Sequence, residues 1–211
     1  MDFLGGYHGY LQVDGYQGYE QTQATLVGCW AHARRKFMEA KKGAGSKGSG
    51  KADWALNHIQ KLYRVETQLK EETAANRYAQ RQEKSLPLLN QLETWLTKSA
   101  QQVLPKTKLG EAIQYCLNQW HKLVRYTLDG YLTIDNNRTE RVIKPFVIGR
   151  KNWLFSQTAT GANASANLYS IIETAKANDL NVFEYVMDSL EQLSKPEADI
   201  EQLLLWQFAK R

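Results

Sequence analysis

Cysteine and long apolar runs are both scarce in this chain of 211 residues, and each scarcity excludes a class of protein. Two cysteines, Cys29 and Cys116, cannot build a disulfide framework and read as buried thiols. The longest apolar stretches, such as LLLW ending at Trp206, fall far short of the roughly 20 residues of a membrane span. The opening MDFLGGYHGY lacks the basic start and apolar core of a secretory signal, so a cytoplasmic location is the expectation. The sequence has no P-loop, no G-x-G-x-x-G, no nucleophile elbow and no H-E-x-x-H. Those absences set aside the commoner NTPase, dehydrogenase, hydrolase and zincin chemistries. There is no internal repeat.

What remains is ordinary for a folded soluble domain: 43% hydrophobic and 23% charged residues, at a length that fits one to two domains. The net charge is +5 and the pI about 9.1, just above the rough threshold of 9 at which a basic domain suggests a polyanion. The cations cluster: Arg34, Arg35 and Lys36; Lys41 and Lys42; Arg150 and Lys151. A solvated basic face is the plain alternative for any one cluster.

GYLQVDGYQGY has alternating apolar positions, Leu11 and Val13, and predicts a strand ending at Asp14-Gly15. TLVGCW predicts a second strand, running into the helix AHARRKFMEA. The Gly- and Lys-rich stretch at 41–52 reads as a flexible linker. From Asp53 to Tyr126 the apolar spacing is helical, as in Ile59, Leu62, Val65 and Leu69, or Leu109, Ile113, Cys116 and Trp120. Pro105 divides the second of these helices from the third. Three such stripes bury most easily against one another, so a small helical bundle is expected. Further on, DNNRTERVIKPFVIGRKNWLF predicts a helix with Glu140 in its first turn and a stop at Pro145, followed by Arg150, Lys151, Trp153 and Phe155. NWLFS reads as extended. The run TATGANASANL leads into a helix from Leu168 that stops at Asn178, and two more helical pieces close the chain around Pro196.

Two acids invite chemistry, and each has a structural alternative. Asp14 ends a strand, where an α/β sheet presents ligands and metals. Asp-Gly is equally the strongest short signal for a hairpin turn. Glu140 is well placed on a helix, but Asn137-x-x-Glu140 also fits a capping box worth about 1 kcal/mol. Asp135 reads as a cap or turn residue. Cys29 with His32 and Cys116 with His121 nominally supply four zinc ligands. The five-residue spacing on a helix points the second pair apart, against a zinc site.

Taken in order, FLGGYHGYLQVDGYQGY, CWAHARRKF, IQKLYRVE, LGEAIQYCLNQW, DNNRTERVIKPFVIGRKNWLF, GANASANLYSIIETAKAND and the terminal LLLWQF resemble the insertion sequence 66 family of transposases along essentially the whole chain. The resemblance implies a DDE transposase: a helix-rich α/β protein with an RNase H-like core and an all-helical insertion before the final acid. Asp14 then matches the second acid and Glu140 the third, both as ligands of Mg²⁺ or Mn²⁺. Arg34, Arg35, Lys36, Arg141, Arg150, Lys151 and Trp153 become candidates for contact with DNA, at transposon ends and target.

On that reading residues 1–40 are a partial core segment, 41–52 the linker and 53–128 the insertion. Residues 129–178 return to the core with the final acid, and 179–211 form a helical tail. The chain begins where the family is already inside its catalytic domain. The expectation is therefore a core lacking its first strands and first Asp, since Asp2 lies only 12 residues before Asp14. The competing expectations are an inactive fragment that binds DNA or pairs with a full-length transposase, a homo-oligomer, and a nuclease using Asp129 or Asp135 as its acid.

Overall fold

The computed structural model describes residues 4–43, 50–153 and 156–208, and the chain divides into two compact units, Met1–Arg138 and Thr139–Arg211. Asp2, residues 44–49 of the predicted linker, and Leu154 and Phe155 lie outside the described residues.

In the first unit, β1 (Tyr10–Val13) and β2 (Thr25–Gly28) form a two-stranded sheet. They pair in parallel, in the register Tyr10↔Thr25 to Val13↔Gly28. Parallel pairing rules out Asp14-Gly15 as a hairpin turn, because a hairpin returns its strand antiparallel. The dipeptide does turn the chain: Gly15 has φ +93°, and Asp14 Oδ1 accepts the Tyr16 N–H at 3.0 Å. A short 3-10 turn, Gln17–Gln21, then carries the chain back toward β2.

The helix α1 (Trp30–Gly43) follows β2 and buries Trp30, Ala33, Phe37 and Ala40 at helical spacing, leaving Arg34 and Arg35 exposed. Next come α2 (Gly50–Gln68), α3 (Ala74–Gln80), a π-helical turn at Arg81–Ser85, α4 (Leu86–Ala100) and α5 (Lys108–Leu123). Thr73 and Thr107 cap α3 and α5 by accepting the N–H of Asn76 and Gly110. Apolar stripes at helical spacing form the core: Ile59 and Leu62 of α2, Leu89, Leu92 and Leu96 of α4, and Ile113 and Cys116 of α5.

That core is not the helices' own. Val27 of β2, Trp30 and Phe37 of α1, and Ile134 pack into the same cluster. Trp30 donates from Nε1 to the Leu123 carbonyl at 2.9 Å and meets Trp120 edge to face. A two-stranded sheet has too little apolar area to stand alone. Here it is held by the helices laid over it.

The second unit contains nearly all of α6 (Asn137–Trp153), then α7 (Ala159–Ala177), α8 (Val182–Leu193), a 3-10 turn at Ile200–Leu203 and α9 (Leu205–Phe208). Two expectations are corrected here. Pro145 does not stop α6, which runs on to Trp153. Proline costs the helix one i→i−4 bond, yet Phe146, the next residue, packs edge to face on Tyr169 of α7 at 5.2 Å. The Gly/Ala/Ser/Asn run is helix as well: α7 starts at Ala159, where Thr158 Oγ1 accepts the Gly161 N–H at 3.0 Å. Alanine's high helix propensity carries the following turns. Asn178 ends α7 as expected, with Asp179 at φ 56°. Asn181 Oδ1 accepts the amides of Phe183 and Glu184 to start α8, and Tyr185 is buried with its hydroxyl on the Leu203 carbonyl at 2.8 Å.

Candidate nucleic-acid interface and its acids

Asp14 stands at the C-terminal end of β1 with its side chain exposed. One carboxylate oxygen is fixed by the Tyr16 amide, and no described residue donates to the other. Its backbone carbonyl accepts the Tyr115 hydroxyl of α5 at 3.2 Å, so both the turn and the helical layer set its position. Burial pushes the Tyr115 phenol up to about 12, so it stays a donor at any physiological pH. An exposed carboxylate with a free oxygen is a donor of the kind hard dications take.

Around Asp135, which the sequence offered as a cap or turn residue and as an alternative acid, a second acidic site forms. Oδ2 accepts the Tyr63 hydroxyl of α2 and the Asn137 amide nitrogen, both at 2.8 Å, and Oδ1 accepts the Asn137 backbone N–H at 3.1 Å. Asp135 takes the capping role that was one of its two expected ones, holding the first amide of α6, whereas Asn137, the other expected cap, is already within the helix. The Tyr63 phenol is pushed far up, first by burial and then by its bond to the Asp135 carboxylate. Thr133 and Gln12 bond side chain to side chain at 2.6 Å, and Ile134 accepts the Trp30 N–H at 3.1 Å. These contacts stitch the 133–135 segment to β1 and to the start of α1.

Between α1 and α2 runs a groove of about 470 Å³, lined by Arg34, Arg35, Gln60, Tyr63, Thr67 and Asn137 among others. Lys36, the third cation of that cluster, is half-buried and does not line it. Gln60, Tyr63 and Thr67 went unrecognised because nothing local marks them. Their only signal is a shared helical face, at i, i+3 and i+7.

In the second unit Glu140 lies in the first turn of α6 and is half-buried. Arg141, Arg150 and Lys151 are exposed, the last two in the final turn. That order of acid first and bases last also suits the helix dipole. Trp153 ends α6; its side chain is outside the described residues. No group of three His, Cys, Asp or Glu side chains among the described residues forms a metal cage. Cys29 and Cys116 are both buried, and burial raises both thiols, Cys116 to about 12.

The fold and these sites define a class: a basic, helix-rich α/β protein with an exposed acid at the end of a parallel strand and a groove lined by two arginines between its first two helices. Residues 1–164 match the Transposase IS66 family and residues 170–206 match the IS66 C-terminal element. The chain belongs to the IS66 transposase family. Similar curated proteins come from Sinorhizobium fredii (strain NBRC 101917 / NGR234). The one named "Uncharacterized protein y4hP" is 33% identical across 98% of this chain and 41% of its own length. Another, "Uncharacterized protein y4qI", is 33% identical across 97% of this chain and 40% of its own. The chain thus spans about 40% of the relatives it matches. No solved structure matches it. No described helix is long and apolar enough to cross a membrane.

Proposed function

We propose that this chain carries two of the carboxylates with which a DDE transposase cuts and joins DNA, Asp14 and Glu140. The observation that carries the reading is Asp14: an exposed carboxylate at the C-terminal end of a parallel strand, with one oxygen pinned by a backbone amide and the other open. A parallel pair running into a packed helix suits part of an RNase H-like core, with the helices from Gly50 onward inserted before the final acid.

The donors fit Mg²⁺ or Mn²⁺, since both side chains offer hard oxygens and α6 is a rigid carrier for Glu140. Held by Asp14 and Glu140, such ions would supply Lewis-acid activation of the attacking oxygen and stabilisation of the leaving one. The chain's own part is placement. The Asx turn fixes the Asp14 carboxylate against rotation, and the Asp135 bonds fix the start of the helix that bears Glu140. Arg34, Arg35, Arg141, Arg150 and Lys151 neutralise phosphates of the bound DNA.

Iron(II) in place of magnesium tests the shared site, because hydroxyl radicals formed there cut the nearby backbone. The expectation is cutting beside both 14 and 140, lost with excess Mg²⁺ and lost at both places in Asp14→Asn. Cutting at 140 that survives Asp14→Asn would refute the joint site.

A further inference from the structure

The connection from β1 to β2 does not hold itself in place. Parallel strands are usually joined by a crossover of about a dozen residues or more, with a helix that packs on the sheet. Here residues 14–24 make the whole crossover, and its one regular piece is the 3-10 turn Gln17–Gln21. None of these residues is buried. Yet the stretch contains both Asp14 and the Tyr16 amide that fixes its carboxylate.

What holds the crossover is α5. The Tyr115 hydroxyl donates to the Asp14 carbonyl at 3.2 Å, at the start of the crossover, and Lys122 Nζ donates to the Glu20 carboxylate near its end. Tyr115 and Lys122 lie two turns apart on one face of the helix, about 10 Å along its axis. Gly15 admits the first contact, since a Cβ there would stand 3.3 Å from the Tyr115 hydroxyl oxygen. Lys122 is buried, and an ammonium shut away from water needs its counter-charge. The helix is itself fixed to the sheet. A Cβ at Gly28 of β2 would lie 3.0 Å from the Leu123 backbone nitrogen, and Arg125, just past α5, donates to the Leu26 carbonyl at 2.8 Å.

We infer that Tyr115 and Lys122 are positioning residues for Asp14, clamping both ends of the crossover on α5; the inference rests on the metal-binding role proposed for Asp14 above. Their effect passes through the backbone. Lys122 holds Glu20 in the 3-10 turn, the Tyr19 amide in that turn donates to the Tyr16 carbonyl at 3.3 Å, and the Tyr16 amide donates to Asp14 Oδ1 at 3.0 Å. With either end released, the Tyr16 amide leaves and the carboxylate turns among its rotamers. Binding an ion then has to order it again.

Amide hydrogen exchange and Mn²⁺ broadening, both read by NMR on the full chain, test the clamp. Tyr115→Phe removes one hydroxyl. Glu20→Ala/Lys122→Met removes both charges, so no buried ammonium is stranded and the fold is kept. Exchange of the Tyr16, Tyr19 and Thr22 amides should quicken about fivefold in the first variant, as for one neutral hydrogen bond, and about tenfold or more in the second. The Ile113 and Cys116 amides of α5 should exchange as in wild type. Mn²⁺ should broaden the signals of residues 13–16 in wild type. Half-broadening should take about twofold more Mn²⁺, or above, in each variant, because apparent affinity falls with the fraction of chains in the competent conformation. Unchanged exchange at all three amides in both variants would overturn the clamp and leave the metal role of Asp14 standing. Quickened exchange with a wild-type Mn²⁺ titration would reduce the two residues to a structural role. A wild type whose residues 13–16 ignore Mn²⁺ overturns the metal role, and the positioning role with it.

Discussion

Arg81→Ala removes a side chain that is 1% exposed and donates from all three of its nitrogens. Nε and Nη2 reach the two oxygens of Glu66 at 2.9 and 2.6 Å. Nη1 reaches the carbonyls of Tyr126 and Asp129, both at 2.8 Å, and Nη2 that of Leu132 at 2.9 Å. The guanidinium also lies over the Tyr126 ring, 5.2 Å from its centroid. Alanine would strand the Glu66 carboxylate, whose side chain is 14% exposed, along with three carbonyls. Removing one partner of a buried pair costs about 3–5 kcal/mol. The carbonyl penalties do not add in full, because water can enter the vacated volume. Against a typical stability of about 5–15 kcal/mol this is a large fraction. At about 2–4 °C per kcal/mol it lowers the melting temperature by roughly 6–20 °C. Tryptophan fluorescence in urea reports it, since Trp30, Trp54, Trp95 and Trp120 all lie in the first unit. Arg81→Met/Glu66→Leu, which removes both charges, should recover much of the loss. An Arg81→Ala midpoint within about 1 kcal/mol of wild type would refute the reasoning. The consequence reaches the site, because the carbonyls Arg81 holds belong to the 126–132 segment that leads into Asp135.

Other changes have equally definite outcomes. Gly130→Ala places a Cβ against the Ala74 backbone carbonyl and disturbs the 2.8 Å bond from Arg77 to the Gly130 carbonyl. It should destabilise by about 1–3 kcal/mol in a urea titration. His58 is buried with Nε2 at 2.8 Å from the Leu88 carbonyl, and burial pushes its pKa below the ordinary 6.5. The folded state then binds fewer protons than the unfolded one, so stability is complete above 6.5 and falls as pH drops toward the lowered value. His58→Gln should flatten that part of the melting-temperature profile. The bond from Lys122 holds Glu20 below its ordinary 4.5, so its contribution is present above 4.5 and lost on further acidification. In Glu20→Gln the slope below 4.5 should diminish while the slope near 6 persists.

Much of the fold was legible because it follows local periodicity. The alternation at Leu11 and Val13, the stripe from Ile59 to Leu69, and the stop at Asn178 all stand where the spacing put them. The two misread stretches were read by residue type without their surroundings. Pro145 is tolerated within α6, next to a ring packed on α7, and a Gly/Ser-rich run becomes helix once Thr158 caps it. Asp14 was visible as a strand end. The Asp135 site was not, because Tyr63 is 72 residues away and its bond has no local signature.

The sequence alone determined the family and the position of each strand and most helices. These depend on neighbours three or four residues apart, or on blocks of residues in order. Only the tertiary structure decided that the strands run parallel, that one core joins the sheet to the helices, that Arg81 is buried, and that Arg34 and Gln60 face one groove. Each of those comes from residues far apart in the chain meeting where apolar area and hydrogen bonds are satisfied together, and no periodicity within one segment encodes such a meeting.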